Sequence, residues 1–319
     1  FVACVPLGYA VKWAVTESED WSSASPDGFV KYVVTAKEHV SSDCSIFSLK
    51  PKSSGTIVKT TDSSLERAIK SVQFKQPQLQ IARHYTILPQ TQGQDENEIR
   101  LLVRKERRGE VSGYIHRLPI GAEVELRGPC TEFAVPKGTN HVLFLAGGTG
   151  VAPAMQVAGI LSNEDCHIHV LWASRRREDC AGGISDHSAV RKSRWWDLTQ
   201  LWSQTQPLTT GGTESPDEMG PIVRQLQELK TCSPTTMKPK LSVDYYVDEE
   251  RKFVKSGALF QLMSSAPDGA KKLLIVSGPP GFVGHWAGPK QWVNGQEAQG
   301  PVGGVLAKLD LRDWTVVKL

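Results

Sequence analysis

The chain has 319 residues, of which 39% are hydrophobic and 22% are charged, a composition typical of globular proteins. This length predicts two domains, each large enough to bury a core. The formal net charge of +3 is too small to indicate binding to nucleic acid or to a membrane surface. No run of eighteen apolar residues occurs that would span a bilayer by itself.

The chain opens with an apolar segment, residues 1–15, which is followed by the polar residues 16–20. This pattern is consistent with the end of a membrane anchor or leader, with a packed terminus, or with the cut edge of a longer chain. We therefore treat residues 1–25 as a separate N-terminal segment and as a candidate end of a membrane anchor.

Residues 26–139 contain short strand patterns separated by turns and no long helical pattern. Strands are predicted at 29–34, 45–49, 72–74, 79–81, 83–88, 99–104 and 124–127. A polar turn is predicted at 38–43, a short helix is predicted at 65–70, and Gly128-Pro129 is expected to end the last strand. This order of elements predicts a small antiparallel β-barrel.

Residues 140–319 have the alternating strand and helix pattern of an α/β domain. Apolar runs predict buried parallel strands at 142–146, 167–173, 241–247 and 272–276. A helix is predicted at 222–229. This pattern indicates a parallel, Rossmann-like sheet that binds its ligands at the carboxyl ends of the strands.

A glycine turn joins the first of these strands to a helix. Gly147, Gly148, Thr149 and Gly150 form the turn, and Pro153 suits an early helical position. Glycines allow a phosphate to approach the backbone, and a helix N-terminus directs N–H groups toward an anion. The alternative interpretation is an ordinary, tightly packed strand-to-helix turn.

An insertion is predicted at 182–218, which is rich in Gly, Ser, Thr and Gln and carries three tryptophans. A loop of this length inside a compact domain is uncommon, so we expect it to be partly mobile. Its tryptophans either pack locally or contact a partner or membrane. The six cysteines include no CxxC pair, so no zinc ribbon or iron–sulfur cluster is indicated and no metal site is predicted.

Four motifs together resemble, in order and spacing, the ferredoxin-reductase-like flavoproteins, among which the cytochrome b5 reductases are the nearest well-known branch. The motifs are Arg83-His84-Tyr85-Thr86, Gly113-Tyr114-Ile115-His116, the glycine turn, and Ser277-Gly278-Pro279-Pro280-Gly281-Phe282. The resemblance covers residues 28–285. It implies an FAD-binding barrel at 26–139 and an NAD(P)-binding domain at 140–319.

The first motif corresponds to the R-x-Y-[ST] pattern with which that family holds FAD. The resemblance implies that Arg83 pairs with the pyrophosphate, for which a guanidinium fork is suited. It also implies that Tyr85 lies against the flavin ring and that Thr86 bonds near flavin N5. Arg104 stands where relatives often carry a basic residue near the flavin.

The second motif is compared with the family's G-x-x-[ST] element, which offers helix N-terminal amides and a hydroxyl to the FAD pyrophosphate. The resemblance implies that Gly113 opens a short helix and that the amides of Tyr114 and Ile115 contribute. His116 then stands in place of the hydroxyl residue, and its protonation state would matter.

The last motifs concern the pyridine nucleotide, NADH or NADPH. The resemblance implies that the glycine turn, Gly278 and Pro279 bind it, with Ser277 at the position beside the nicotinamide where relatives usually have Cys. Arg175 follows the second strand, where relatives choose between the two nucleotides, and an arginine there can bind a 2′-phosphate. The alternative is a solvated basic turn balanced by acidic neighbours.

The segment 281–309 is rich in glycine, proline and tryptophan and is unlike a plain reductase terminus. With the insertion and the apolar N-terminus, it resembles the membrane-anchored FAD proteins that act in haem attachment to apocytochrome c in fungal mitochondria. This resemblance implies a haem protein or the haem and apocytochrome c machinery as partner. It also implies an inner-membrane location facing the intermembrane space. Under this resemblance His285, beside Trp286, is a candidate haem contact, and the alternative is an ordinary packed or exposed histidine.

Three functions therefore remain open from the sequence. The first is an FAD-dependent reductase that passes electrons from NAD(P)H to haem iron, with Thr86 and Ser277 at the reacting centre. The second is a general NADH-cytochrome b5 reductase. The third is a flavoprotein scaffold that binds the haem lyase without turning over NAD(P)H.

Overall fold

The computed structural model describes residues 28–52, 67–91, 93–187, 219–231, 241–293 and 296–319. The predicted N-terminal segment, 1–25, lies outside these residues, and so does most of the predicted insertion, 188–218. Among the described residues, no helix combines the length and apolar character needed to cross a membrane.

The first half of the chain forms the predicted antiparallel barrel. Its elements are β1 (Val30–Ser41), β2 (Cys44–Pro51), β3 (Ala68–Gln76), β4 (Ile81–Thr86), β5 (Ile99–Arg104), α1 (Glu110–Arg117) and β6 (Glu123–Ala134). The strand order is β4-β3-β6-β1-β2-β5, and every pairing is antiparallel. The two end strands meet through a bridge between Ile87 and Leu101, so the sheet curls back on itself.

Alternating side chains give the barrel its core. Phe47 and Leu101 are cross-strand partners on β2 and β5, and both are fully buried, as are Phe74 on β3 and Leu49. Helix α1 covers one end of the barrel, because its Ile115 is also fully buried in the same apolar cluster.

Four local predictions in the barrel are wrong. No separate strand forms at 79–81, because residues 77–80 are the turn that leads into β4. Strand β1 continues to Ser41, so the turn predicted at 38–43 is reduced to two residues between β1 and β2. Residues 68–70 belong to β3 rather than to a helix, because they pair with β6. Strand β6 continues past Gly128 to Ala134, since Gly128 sits at an irregular position with φ of 129°, a conformation that favours glycine.

The second half of the chain forms the predicted α/β domain. Its elements are β7 (His141–Gly147), α2 (Val151–Ile160), β8 (His167–Ser174), α3 (Pro221–Thr231), β9 (Leu241–Val247), α4 (Ser256–Ser264), β10 (Lys272–Ser277), α5 (Pro280–Ala287), β11 (Gln291–Val293), β12 (Gln296–Ala298) and β13 (Trp314–Lys318). A parallel sheet has the order β13-β10-β7-β8-β9. The strand order therefore reverses between β7 and β10.

The C-terminal segment is an integral part of this sheet. Strand β13, which the sequence analysis did not predict, pairs in parallel with β10. The buried Lys318 side chain donates to the carbonyls of Pro289 at 3.1 Å and Pro301 at 2.8 Å. Residues on both sides of the β11–β12 hairpin are thereby fastened to the end of the sheet.

The barrel and the sheet share one apolar core and several polar contacts. Leu102 and Phe133 of the barrel pack in the same cluster as the residues of β7 and α2. On α2, Gln156 accepts a hydrogen bond from the Lys70 amide at 2.7 Å and donates to the Lys70 carbonyl at 2.8 Å. Its amide also donates to the Ile87 carbonyl. The Gln156 side chain therefore binds the backbone of two barrel segments.

Candidate cofactor-binding site

The end of β4 presents the R-x-Y-T motif. Arg83 is exposed and donates to the neighbouring Ala82 carbonyl at 2.9 Å, and it forms no ion pair with a described residue. Strand alternation places Tyr85 on the same face as Arg83. Tyr85 is half-buried and meets Phe74 edge-to-face at 6.4 Å. Burial raises the pKa of Tyr85 to about 12, so its hydroxyl stays neutral and can donate a hydrogen bond.

Thr86 ends this strand next to the α/β domain. It pairs with Ser71 on β3, and the carbonyl of the following residue, Ile87, accepts from Gln156 on α2. Thr86 therefore lies where the barrel meets the helix that follows the glycine turn.

Helix α1 begins at Glu110, so the prediction that Gly113 opens the helix is wrong. The Gly113 amide already donates to the Gly109 carbonyl at 2.8 Å. In an α-helix only the first N–H groups lack an intrahelical acceptor. The amides of Tyr114 and Ile115, still further along the helix, lie beyond that first turn and are not the free donors at its N-terminus.

The His116 ring is turned toward the barrel core. Its Nε2 lies 3.0 Å from the Val103 carbonyl, to which it donates, and the ring meets Phe47 at 5.3 Å. Burial lowers the pKa of His116, which favours the neutral ring. One ring nitrogen is therefore engaged inside the protein and only Nδ1 remains for another partner.

The G-x-x-[ST] pattern is met four residues earlier, by Gly109, Glu110, Val111 and Ser112. These residues form the true N-terminus of α1, and no side chain caps it. The Ser112 hydroxyl accepts from the Glu106 amide at 3.1 Å and lies within the same turn. The signal was present in the sequence as a glycine followed by an acidic residue in the first helical turn.

The glycine turn and the Ser277 loop pack backbone against backbone. A Cβ on Gly150 would lie 2.6 Å from the Ser277 carbonyl carbon, and one on Gly278 would lie 2.9 Å from the Gly147 carbonyl oxygen. A Cβ on Gly147 would lie 2.7 Å from the Phe282 ring. Both loops follow the carboxyl ends of β7 and β10, where the strand order reverses. Open α/β sheets bind their ligands at such a point.

The remaining residues of these two loops are placed as follows. Gly148 begins a 3₁₀ turn with φ of 54°, and its carbonyl accepts from the Trp172 indole at 2.9 Å. Thr149 is half-buried, and Pro153 is the buried third residue of α2. Ser277 is the buried last residue of β10, and Pro279 precedes α5.

Arg104 joins the barrel to the glycine turn. Its guanidinium donates to the Asp179 carboxylate at 2.8 Å, and Asp179 also accepts from the Ser41 hydroxyl at 2.7 Å. A Cβ on Gly148 would lie 3.7 Å from the same guanidinium. A small crevice lined by Arg104, Gly148, Thr149 and Trp172 opens at this junction. The Arg104 charge is therefore balanced by Asp179 inside the protein.

The three arginines after β8 differ in their partners. Arg176 pairs with Glu178 at 3.0 Å, and Arg177 pairs with Glu250 through two hydrogen bonds of 2.5 and 2.8 Å. Arg175 is exposed and forms no ion pair with a described residue. Of these three side chains, Arg175 is the one whose charge is left for an anionic ligand.

Residues 31–135 match the family of oxidoreductase FAD-binding domains. The matched residues are those of the barrel described above, which is therefore similar to oxidoreductase FAD-binding domains. This match confirms the predicted barrel fold and the predicted cofactor FAD.

Three relatives share parts of the sequence. An uncharacterized FAD-binding protein of Schizosaccharomyces pombe is 31% identical over 54% of this chain and 60% of its own length. The cytochrome c mitochondrial import factor of Saccharomyces cerevisiae is 28% identical over 40% of this chain and 38% of its own. NADH-cytochrome b5 reductase 1 of Cryptococcus neoformans is 35% identical over 24% of this chain and 26% of its own. The chain thus matches less than two thirds of the length of each relative.

A solved structure shows the same two-part fold. The cytochrome b5 reductase domain of Ulva prolifera nitrate reductase superposes with a TM-score of 0.51 and 17% sequence identity. The superposition covers 81% of this chain and 90% of that domain. The predicted fold, an antiparallel barrel followed by a parallel sheet, is confirmed across both halves.

Proposed function

We propose that this protein is an FAD-dependent oxidoreductase that passes electrons from NADH or NADPH to a one-electron acceptor. One observation carries the proposal: the barrel's R-x-Y-T strand end, the uncapped N-terminus of α1 and the glycine turn belong to elements that pack around one barrel strand, since β4, α1 and α2, the helix that follows the glycine turn, all contact β3. The first two fit a flavin nucleotide, and the third fits a pyridine nucleotide.

The barrel residues fit the phosphates and the ring of FAD. Arg83, which pairs with no described residue, offers its charge to the pyrophosphate, and the first amides of α1 can donate to the same group because of their position at a helix N-terminus. Tyr85 supplies an aromatic face held by Phe74. Bound FAD would accept two electrons and release them one at a time, and the protein supplies orientation and surroundings.

The sheet residues fit the pyridine nucleotide. The glycine turn allows close approach of a pyrophosphate to the backbone, and the Ser277 loop lies against it. Thr86 would orient the flavin edge where the electrons arrive, and the buried Ser277 would limit how the nicotinamide ring is seated. Arg175 would contact the adenosine ribose and its 2′-phosphate in NADPH.

For the acceptor we propose haem iron during cytochrome c maturation in mitochondria. The relative in S. cerevisiae supports this choice by its name as a cytochrome c mitochondrial import factor. A general NADH-cytochrome b5 reductase is the second candidate, supported by the relative in C. neoformans. These two functions share the flavin site and differ in the acceptor.

We further propose attachment to the inner membrane, facing the intermembrane space, through the N-terminal segment.

The test is an anaerobic visible spectrum of the purified protein before and after NADH, and separately NADPH. Bleaching of the flavin bands is the expected result, and reduction rates toward cytochrome b5 and toward haem bound to apocytochrome c then separate the two acceptors. Flavin bands that persist with both nucleotides would contradict the reductase function. They would support the alternative, a flavoprotein scaffold that binds the haem lyase. Protein without flavin would overturn the proposal as a whole.

A further inference from the structure

A cluster of metal-ligating side chains lies on the parallel sheet, away from the proposed cofactor site. His169 is the third residue of β8 and Asp244 is the fourth residue of β9, and His187 lies beside them. His169 is five residues before Ser174, the carboxyl end of its strand, which is about 16 Å at the rise of a β-strand. The cluster is therefore separate from the edge at which the nucleotide would bind.

The sequence positions of the three residues explain why no motif revealed the cluster. His169 pairs in register with Ser242 on the neighbouring strand, and Asp244 is two residues further along, on the same face of the sheet. His187 belongs to the segment that follows β8. The three side chains meet only because the sheet and this segment bring them together.

The segment before His187 is fastened to the open edge of β9. The Ser185 hydroxyl accepts from the Tyr245 amide at 2.8 Å, and the Asp186 carboxylate accepts from the Val243 amide at 2.7 Å. Asp186 also pairs with Lys230 on α3 at 2.7 Å. These contacts satisfy edge amides of the sheet and hold the chain where His187 reaches Asp244.

The distances within the cluster are those of ligands around one small ion. Asp244 Oδ2 lies 3.1 Å from His169 Nε2 and 3.3 Å from His187 Nδ1, and the three ligand atoms lie within 4.8 Å of one another. Two ligands bound at about 2.0–2.1 Å to a tetrahedral Zn²⁺ lie about 3.3 Å apart. Little movement is needed to place an ion between them.

His169 Nε2 and Asp244 Oδ2 hydrogen-bond to each other at 3.1 Å, and the surrounding hydrogen bonds engage the other polar atom of each side chain. The other Asp244 oxygen, Oδ1, accepts from the His187 amide at 3.1 Å. Ser242 donates its hydroxyl to the Ile168 carbonyl at 3.4 Å and lies 3.0 Å from His169 Nδ1, so it can accept the Nδ1 proton. That tautomer would give His169 Nε2 a lone pair for an ion placed between it and the carboxylate, and metal-binding histidines are commonly oriented in this way.

We propose that His169, His187 and Asp244 bind a divalent transition-metal ion, of which Zn²⁺ suits the donor set best. Two imidazole nitrogens and one carboxylate oxygen fit Zn²⁺, whereas Ca²⁺ and Mg²⁺ prefer oxygen ligands alone. His169 and Asp244 are more than nine-tenths buried, and His187 is exposed and completes the site from the solvent side. Water takes the fourth position. The ion would fasten the segment that ends at His187 to both strands.

The test is a Zn²⁺ titration of the purified, tag-free full chain after treatment with a chelator, followed by calorimetry and by competition with a fluorescent zinc chelator. We expect one site with a dissociation constant in the micromolar range or below. His187→Ala should weaken binding at least tenfold, and because its side chain is exposed the variant is expected to fold.

The matched control is His167→Ala, an exposed histidine two residues before His169 on the same strand and outside the cluster. It should bind Zn²⁺ as the natural protein does. No one-site binding up to 100 µM Zn²⁺, or equal affinity in the natural protein and His187→Ala, would overturn the proposal. The readout is independent of turnover, so a failure of the reductase proposal leaves this test intact.

Discussion

The barrel and the parallel sheet contribute to the proposed site in different ways. The barrel presents side chains, with the exposed charge of Arg83 and the ring of Tyr85 on one strand face. The sheet presents backbone, because Gly147, Gly150 and Gly278 leave no room for side chains where its two loops meet. Substitutions in the barrel should therefore change ligand affinity while sparing the fold. Substitutions in the glycine turn should damage the fold itself.

The largest effect is expected from Gly150→Ala. The added Cβ would lie 2.6 Å from the Ser277 carbonyl carbon, which is backbone and cannot rotate away. We expect a loss of at least about 3 kcal/mol in the free energy of unfolding, measured by chemical denaturation. Gly159→Ala on the same helix is the matched control. Its Cβ would lie 3.9 Å from Pro89, and a helical Gly→Ala change stabilises by up to about 1 kcal/mol. Equal free energies of unfolding for the two variants would show that the close backbone contact at Gly150 is not needed for stability.

Arg83→Ala tests the barrel side. Loss of a charge-assisted hydrogen bond to a phosphate, about 1.5–3 kcal/mol, should weaken FAD binding roughly ten- to a hundredfold, as measured by fluorescence titration of the apoprotein. The melting temperature of the apoprotein should not change, because Arg83 contacts no charged described residue. Arg224→Ala, another exposed arginine, should retain full FAD. An Arg83→Ala protein that also retains full FAD would show that the pyrophosphate is held elsewhere.

The dependence of stability on pH can be tested at His141, a titratable residue of the parallel sheet. Burial, with neighbouring His167 and Lys272, lowers the pKa of His141 to about 4. The unfolded chain takes up this proton near pH 6.5 and the folded chain only near pH 4, so stability is lost as the pH falls between these values. At about 1.36 kcal/mol for each pKa unit, the loss should be about 3 kcal/mol.

His141→Phe keeps the packing against Trp314, which the His141 ring meets at 5.8 Å, and removes the titration. Denaturation curves at pH 7 and pH 4.5 should therefore differ less for this variant than for the natural protein. His39→Gln, at an exposed position of the barrel, serves as the control. The same loss of stability with pH in His141→Phe would assign the effect to another group.

The position of the G-x-x-[ST] element separates two variants on α1. Ser112→Ala should weaken FAD binding about three- to tenfold, a loss of about 1 kcal/mol. His116→Ala should leave FAD affinity unchanged and lower stability by about the same amount, because it removes the hydrogen bond to Val103. If His116→Ala weakened FAD binding and Ser112→Ala did not, the G-x-x-[ST] element would be assigned to residues 113–116 instead.

The smallest effect is expected from Arg175→Ala. Arg175 pairs with no described residue, so its charge should favour NADPH. The variant should therefore raise the NADPH Michaelis constant about threefold through loss of an exposed charge contact, and leave that for NADH unchanged. Arg176→Ala, whose side chain is paired with Glu178, should affect the two nucleotides equally. If only Arg176→Ala raised the NADPH Michaelis constant selectively, Arg176 rather than Arg175 would be the residue that contacts the 2′-phosphate.

Much of the fold could be predicted because buried strands appear in the sequence as apolar runs. The strands around 142–146 and 272–276 are apolar runs, since both of their faces are covered in a parallel sheet. Strand β13 was missed because Trp314–Lys318 is short and follows a glycine-rich segment, and its place beside β10 depends on long-range pairing. Residues 68–70 carry a local helical preference that pairing with β6 overrides.

The glycine positions of the candidate site could be predicted because they, too, are fixed by packing. Glycines at 147, 150 and 278 are required by close backbone contacts, so their spacing survives as a readable pattern. The start of α1 was placed too late, because a second glycine, Gly113, follows Gly109 and both fit the same short pattern. The partner of Arg104 could not be read from the sequence, since Asp179 becomes its neighbour only through the fold.

The contact made by Gln156 has a consequence for how this protein can diverge. Its side chain binds the amide and carbonyl groups of Lys70 and the carbonyl of Ile87, atoms that every residue at position 70 other than proline, and any residue at position 87, would provide. The barrel can therefore exchange its side chains at these two positions without losing its attachment to the helix. Homologues that retain this glutamine could keep the same arrangement of the two domains even where their barrel sequences have little in common.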